Sequence, residues 1–128
     1  MTTCYVGADG SGPSRAAIRW ALARAVGESS PVVFVHVVDD EWGLLGAGYA
    51  AEAERRARDL LDVELAEAGR RYPGADVGAR IVHGSPAWTL AGLPSVDDLL
   101  VVGTHKTGFL HGRVLGSRSV QVAAAAPC

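Results

Sequence analysis

Residues 32–38 read VVFVHVV, seven residues of which five are valine and none is charged. β-Branched residues suit the pleated backbone. No polar residue alternates with them, so both faces of the strand are expected to be buried. That pattern belongs to a central strand of a parallel sheet, covered by helices on its two sides. The fold is read outward from this strand.

Upstream, CYVGA at residues 4–8 forms a shorter apolar strand that ends at Asp9. DGSGPS is then a turn, and Pro13 and Ser14 mark a helix start that Ser11 or Ser14 can cap. The helix runs to about Val26, with Ile18, Ala21, Leu22, Ala25 and Val26 on one face. Downstream, DDEWGLLGAGYA is a long loop. A second helix spans about Ala51 to Arg71, with Ala53, Ala57, Leu60, Leu61, Leu65 and Ala68 on its apolar side. Glu52–Arg56, Glu54–Arg58 and Glu67–Arg71 form i,i+4 pairs on the wet side. ADVGARIVHG supplies a third strand, SPAWTLAGLPS a short helix opened by Ser85 and Pro86, and DLLVVG a fourth strand. Ser117 can cap a last helix over about Arg118 to Ala126.

Strands alternating with helices predict right-handed crossovers and an α/β three-layer sandwich around a parallel sheet, Rossmann-like in organisation. The helix at the end leads into AAAAPC, and the further strand that a doubly wound sheet would take there is missing. With 128 residues, one domain over 1–128 is expected. Hydrophobic residues make up 48% and charged residues 20%, the balance of a soluble globular chain. No apolar run approaches the roughly 20 residues of a membrane helix. The N-terminus lacks the basic start and apolar segment of a signal peptide, so a cytoplasmic location is expected. Cys4 and Cys128 are the two cysteines and make neither a disulfide framework nor a zinc pair.

Net charge is −2, which excludes a general polyanion binder, and no basic stripe with interleaved aromatics points to nucleic acid. The distribution is uneven. The last acidic residue is Asp98, so residues 99–128 carry +3 from Lys106, Arg113 and Arg118, and residues 1–98 carry −5. The positive part is GTHKTGFLHGRVLGSRS, residues 103–119, which holds the single lysine. Glycines let backbone amides approach an anion, and a helix start favours negative charge. Open α/β sheets bind ligands beyond the carboxyl ends of their strands, where GADGSG and GTHKTG both lie. A phosphate cradle and a plain glycine-rich turn both fit this stretch. No P-loop is present, because Phe109 and Leu110 follow Gly108 where Lys and Ser/Thr are needed. GADGSG is not GxGxxG. Catalytic motifs are missing as well, including the G-x-S-x-G elbow and HExxH. His36 and His83 fall on strands that can adjoin, with a structural role expected for both. Trp20, Trp42 and Trp88 are expected to pack, Trp42 at a pocket mouth.

VGADGSGPSRAAIRWALARA, VVFVHVVD, VHGSPAWTL and DLLVVGTHKTGFLHGRVLGSRSVQVAAAAPC, in that order, resemble the universal stress protein family over essentially the whole chain. Its nucleotide-binding members carry G-x2-G-x9-G-[ST]. Here Gly103, Gly116 and Ser117 match, and Lys106 stands at the second glycine. The Lys106 side chain either blocks phosphates or places its ammonium on them. The resemblance implies a five-stranded sheet of the adenine nucleotide α-hydrolase-like type that holds ATP, often with Mg2+ on the phosphates. It places Gly7 and Ala8 at the base pocket, Asp9 near ribose and adenine, and Val37 where backbone reads adenine. Val102 would lie against the base. Gly103, Thr104, His105 and Lys106 would line ribose and phosphates, and Gly116, Ser117, Arg118 and Ser119 the phosphate tail. It further implies a homodimer. The expected function is adenine-nucleotide binding in stress regulation, with at most slow hydrolysis, since no general base is positioned. The alternative is a nucleotide-free interaction module of the same fold. An adenylating enzyme is set aside because GADGSGPS lacks an SGGxDS-like loop.

Overall fold

A computed structural model describes residues 2–39, 46–104 and 126–128. Seven elements alternate: β1 (Cys4–Gly7), α1 (Gly12–Glu28), β2 (Val32–Val38), α2 (Ala47–Arg71), β3 (Val77–His83), α3 (Pro86–Gly92) and β4 (Leu99–Val101). The four strands pair in the order β3-β2-β1-β4, all parallel. This is the α/β, Rossmann-like sandwich expected. The last helix expected, near Arg118 to Ala126, falls outside the described residues but for its final alanine.

VVFVHVV sits between β1 and β3, and Val32, Phe34 and Val35 are fully buried. Alternation divides its neighbours between two layers. Cys4, Val6, Val32 and Phe34 form one core with Ala17, Ile18, Ala21, Leu22 and Ala25 of α1 and Leu61 and Ala68 of α2. Each large side chain removed from water here, Phe34 and Leu22 above all, contributes about 1.5–3 kcal/mol. The other face meets α3: a Cβ on Gly7 would stand 3.5 Å from Leu90 Cδ1. α1 and α2 therefore cover one face and α3 covers the other.

Ser11 is the N-cap of α1, and its hydroxyl accepts from the Ser14 amide. The helix continues to Glu28, past the expected Val26, and ends on Ser29 in the left-handed region at φ 55°. Val26 is 55% exposed, because the buried stripe 14, 17, 18, 21, 22, 25 is too narrow to include it. Trp20 (54% exposed) and Trp88 (66%) are likewise surface residues rather than packing residues. Trp20 flanks the α1 stripe, and Trp88 stands one position beyond Ala87, which α3 turns inward with Ala91. Trp42 lies outside the described residues. α2 starts four residues before the expected Ala51, at Ala47, behind Gly46 at φ 95°. Of its expected ion pairs, Glu52–Arg56 and Glu67–Arg71 form, whereas Glu54 meets His83 across to β3. Among the described residues no helix is long and apolar enough to cross a membrane.

Candidate functional site: the crevice beyond β1 and β4

β1 has β2 on one side and β4 on the other, so strand order reverses at β1. The chain leaves β1 toward α1 and β2. It enters β4 only after the crossover through α3. In open α/β sheets such a switch point is where ligands bind, beyond the carboxyl ends of the strands, here those of β1 and β4.

Ser14 organises its first wall. Its buried hydroxyl donates to the Gly7 carbonyl at 3.2 Å and accepts from the Asp9 amide at 3.1 Å. Asp9 Oδ1 accepts from the Ser11 amide at 2.9 Å, closing an Asx turn. Gly10 completes the turn at φ 81°, a backbone that L side chains rarely adopt. From β2, the Ala8 amide donates to the Val35 carbonyl at 2.8 Å. His36 Nδ1 donates to the Ala8 carbonyl at 2.7 Å, which fixes the tautomer because a carbonyl only accepts. His36 is thus a structural clamp between β2 and the end of β1. His83, two positions past His36's register partner Ile81, turns instead to Glu54 at 3.5 Å. Among the described residues no three His, Cys, Asp or Glu side chains group as a metal-binding set.

β4 supplies the second wall. Val102 approaches Gly7 on the α3 face, where a Cβ on Gly7 would stand 3.5 Å from Val102 Cγ1. Alternation from Val35, the partner of Gly7, puts Val37 on that face too. Gly7, Val37 and Val102 thus share one face at the carboxyl end, apolar and without a charge, and the exposed Asp9 lies at its rim. Gly103 has a packing reason of its own. A Cβ there would fall 2.4 Å from the carbonyl carbon and oxygen of Pro13, so only glycine lets β4 exit so close to α1. Thr104 follows, half-buried. The remaining expected site residues, His105, Lys106, Gly116, Ser117, Arg118 and Ser119, lie outside the described residues.

Sequence reading missed Glu64. It sits in the apolar stripe of α2, its side chain only 7% exposed, with Oε1 accepting from Arg15 Nε at 3.3 Å. A helical position seven after Ala57 and four before Ala68 was the available signal. A cleft of about 300 Å³ opens between α1 and α2, lined by Arg15, Glu64, Glu67 and Arg71 among others. It lies on the face away from Gly7, and its acids are already paired with its arginines. The switch-point crevice, not this cleft, is the candidate site.

The family model described as Universal stress protein family matches residues 1–128. The chain belongs to the universal stress protein family. A curated universal stress protein of Mycolicibacterium smegmatis is 34% identical over 122 residues, covering 94% of this chain. The chain spans 42% of that relative's length. The universal stress protein UspA from Lactobacillus plantarum superposes with a TM-score of 0.79 at 21% identity, over 99% of this chain and 93% of that one. That likeness is one of fold. The crystal structure of a universal stress protein in complex with cAMP is 27% identical, with a TM-score of 0.58 over 98% of this chain and 90% of that one.

Proposed function

We propose that this universal stress protein domain, residues 1–128, binds an adenine nucleotide in the crevice beyond β1 and β4. ATP is the expected ligand, with Mg2+ on its phosphates, and the domain acts as a regulatory binding module rather than an enzyme. The observation that carries the proposal is the uncharged face of Gly7, Val37 and Val102 at the switch point with Asp9 at its rim. A flat base would find apolar surface there, and the Asp9 carboxylate would accept from ribose hydroxyls. The relative in complex with cAMP supports an adenine nucleotide as the class. Lys106, Gly116 and Ser117 would hold the phosphates, where Mg2+ would offset their charge. Asp9 and Thr104 are the polar side chains of the described half.

Thermal unfolding with ATP, ADP, AMP and cAMP, with and without Mg2+, tests the proposal. A nucleotide at 100 times its dissociation constant adds about 2.7 kcal/mol of stability. Asp9→Ala is expected to abolish the nucleotide-dependent increment. Absence of any increment, with no nucleotide released on denaturing the purified protein, refutes it.

One observation removes an argument against the alternative, the nucleotide-free interaction module. The contact with Pro13 accounts for Gly103 without a ligand, so this glycine would be needed in either case. In such a module Lys106 would fill the crevice, and the same titration would show no increment.

A further inference from the structure

Two residues of α2, one helical turn apart, reach the turn between β1 and α1 and the first turn of α1. Leu60 Cδ1 lies 3.1 Å from where a Cβ on Gly10 would stand, so the leucine occupies the space beside that glycine. Glu64 Oε1 accepts from Arg15 Nε at 3.3 Å. Between Asp9 and Arg15 run the bonds that shape the turn. The Ser11 amide donates to Asp9, the Ser14 amide donates to the Ser11 hydroxyl, and the Arg15 amide donates to the Ser11 carbonyl. The two α2 contacts therefore bracket the turn from both ends.

Glu64 is unusual for its place. Its neighbours along the stripe, Ala57, Leu61 and Ala68, are buried and apolar. Its side chain is 7% exposed, but the arginine that compensates it is 56% exposed and makes a single long contact. A carboxylate so far out of water gains little net stability from such a pair, and an apolar residue would serve the core as well. What the carboxylate provides is a directional hold on Arg15, in the first turn of α1. We propose that Leu60 and Glu64 are positioning residues: through them α2 clasps the β1–α1 turn and sets where Asp9 stands at the crevice. The effect on affinity rests on the nucleotide proposal; the clasp itself does not.

Amide hydrogen exchange of the full chain without nucleotide is the first measurement, on the wild type, Glu64→Gln and Leu60→Ala. Glu64→Gln keeps an oxygen for Arg15 and removes the charge. The Ser11 and Ser14 amides are expected to exchange about tenfold faster in either variant, while the Val32 and Phe34 amides keep their rates, as local opening requires. Where one variant fails to fold, the other is read by the same amides. Leu60→Met, which keeps a side chain beside Gly10, is expected to restore slow exchange. The dissociation constant for ATP should rise about tenfold in Glu64→Gln, within the range of coupling between distinct sites. Turn and core amides changing together, or neither changing, overturns the clasp. Selective opening of the turn in a protein that binds no nucleotide leaves the clasp standing and removes the nucleotide proposal.

Discussion

Gly103→Ala is the substitution that tests the junction of β4 with α1 most directly. The added methyl would stand 2.4 Å from the Pro13 carbonyl carbon and oxygen and 2.8 Å from Pro13 Cβ. Two of these atoms are backbone and cannot rotate away, and the proline ring holds its own φ. Relief requires the helix start to move about 1 Å, to the separation of ordinary contact. Overpacking of this kind costs about 1–3 kcal/mol. Ser14 moves with Pro13, so its bonds of 3.1 Å and 3.2 Å to Asp9 and Gly7 stretch as well. Their weakening adds about 1 kcal/mol. A total of about 2–4 kcal/mol leaves a domain of ordinary stability folded but lowers Tm by roughly 7–15 °C. The control is Gly69→Ala in α2, where an added Cβ meets nothing within 4 Å. There the same methyl raises stability by about 0.5–1 kcal/mol, because alanine loses less backbone entropy in a helix. Thermal unfolding followed by far-UV circular dichroism reads both. Gly103→Ala melting within about 2 °C of the wild type, on a scale where 1 kcal/mol is several degrees, would refute the close approach.

Other substitutions probe other parts of the fold. Ser29 caps α1 at φ 55°, so Ser29→Gly is expected to stabilise the protein by about 0.5–1 kcal/mol, read as a higher urea midpoint at unchanged slope. Ser14→Ala removes a buried hydroxyl that serves Gly7 and Asp9 and should lower the stability by about 1–3 kcal/mol in the same assay. Backbone amides of Ser95 and Thr3, with the Ser95 hydroxyl, hold the Asp98 carboxyl below its ordinary pKa. The stability it contributes is present above that ordinary value and is lost as pH falls through the lower folded one. Tm of the wild type should therefore converge with that of Asp98→Asn in acid, and parallel curves would count against the clamp. Burial pushes the Cys4 thiol above its usual value, with Arg24 pulling weakly the other way. Cys4 should resist a disulfide reagent that titrates the exposed Cys128 at once, and its ionisation in the unfolded chain should erode stability above the ordinary thiol pKa.

The fold was legible because its signals are local. VVFVHVV carries its own burial pattern, and Pro13 with Ser11 marks a helix start whatever lies around it. Single residues beside a clear pattern were less legible. Val26 and Trp20 are as apolar as their buried neighbours, and only the width of the α1 stripe decides that they face water. Glu64 carries no local sign of burial, since a helix charge is ordinarily solvated and its partner Arg15 is 49 residues earlier in the chain. The start of α2 was missed because Gly46 and Gly48 read as loop, whereas the helix uses the first as its cap.

Gly103 shows why a glycine motif and a packing requirement are hard to separate in a sequence. Two demands converge on the residue: a ligand's need for close backbone approach, and the need of α1 for the space of a Cβ. Both lead to glycine, so retention of Gly103 alone favours neither the nucleotide site nor the empty module. Replacing it tests the junction with α1, and any loss of binding would follow from the displaced Ser14. Asp9 separates the two functions better. Its Oδ1 already serves the Ser11 amide, a bond that Asn can keep with its own side-chain oxygen. Asp9→Asn therefore preserves the turn and removes the charge. If the crevice binds ribose through that carboxylate, affinity falls while the Tm of the unliganded protein holds, a combination that a purely structural aspartate does not give.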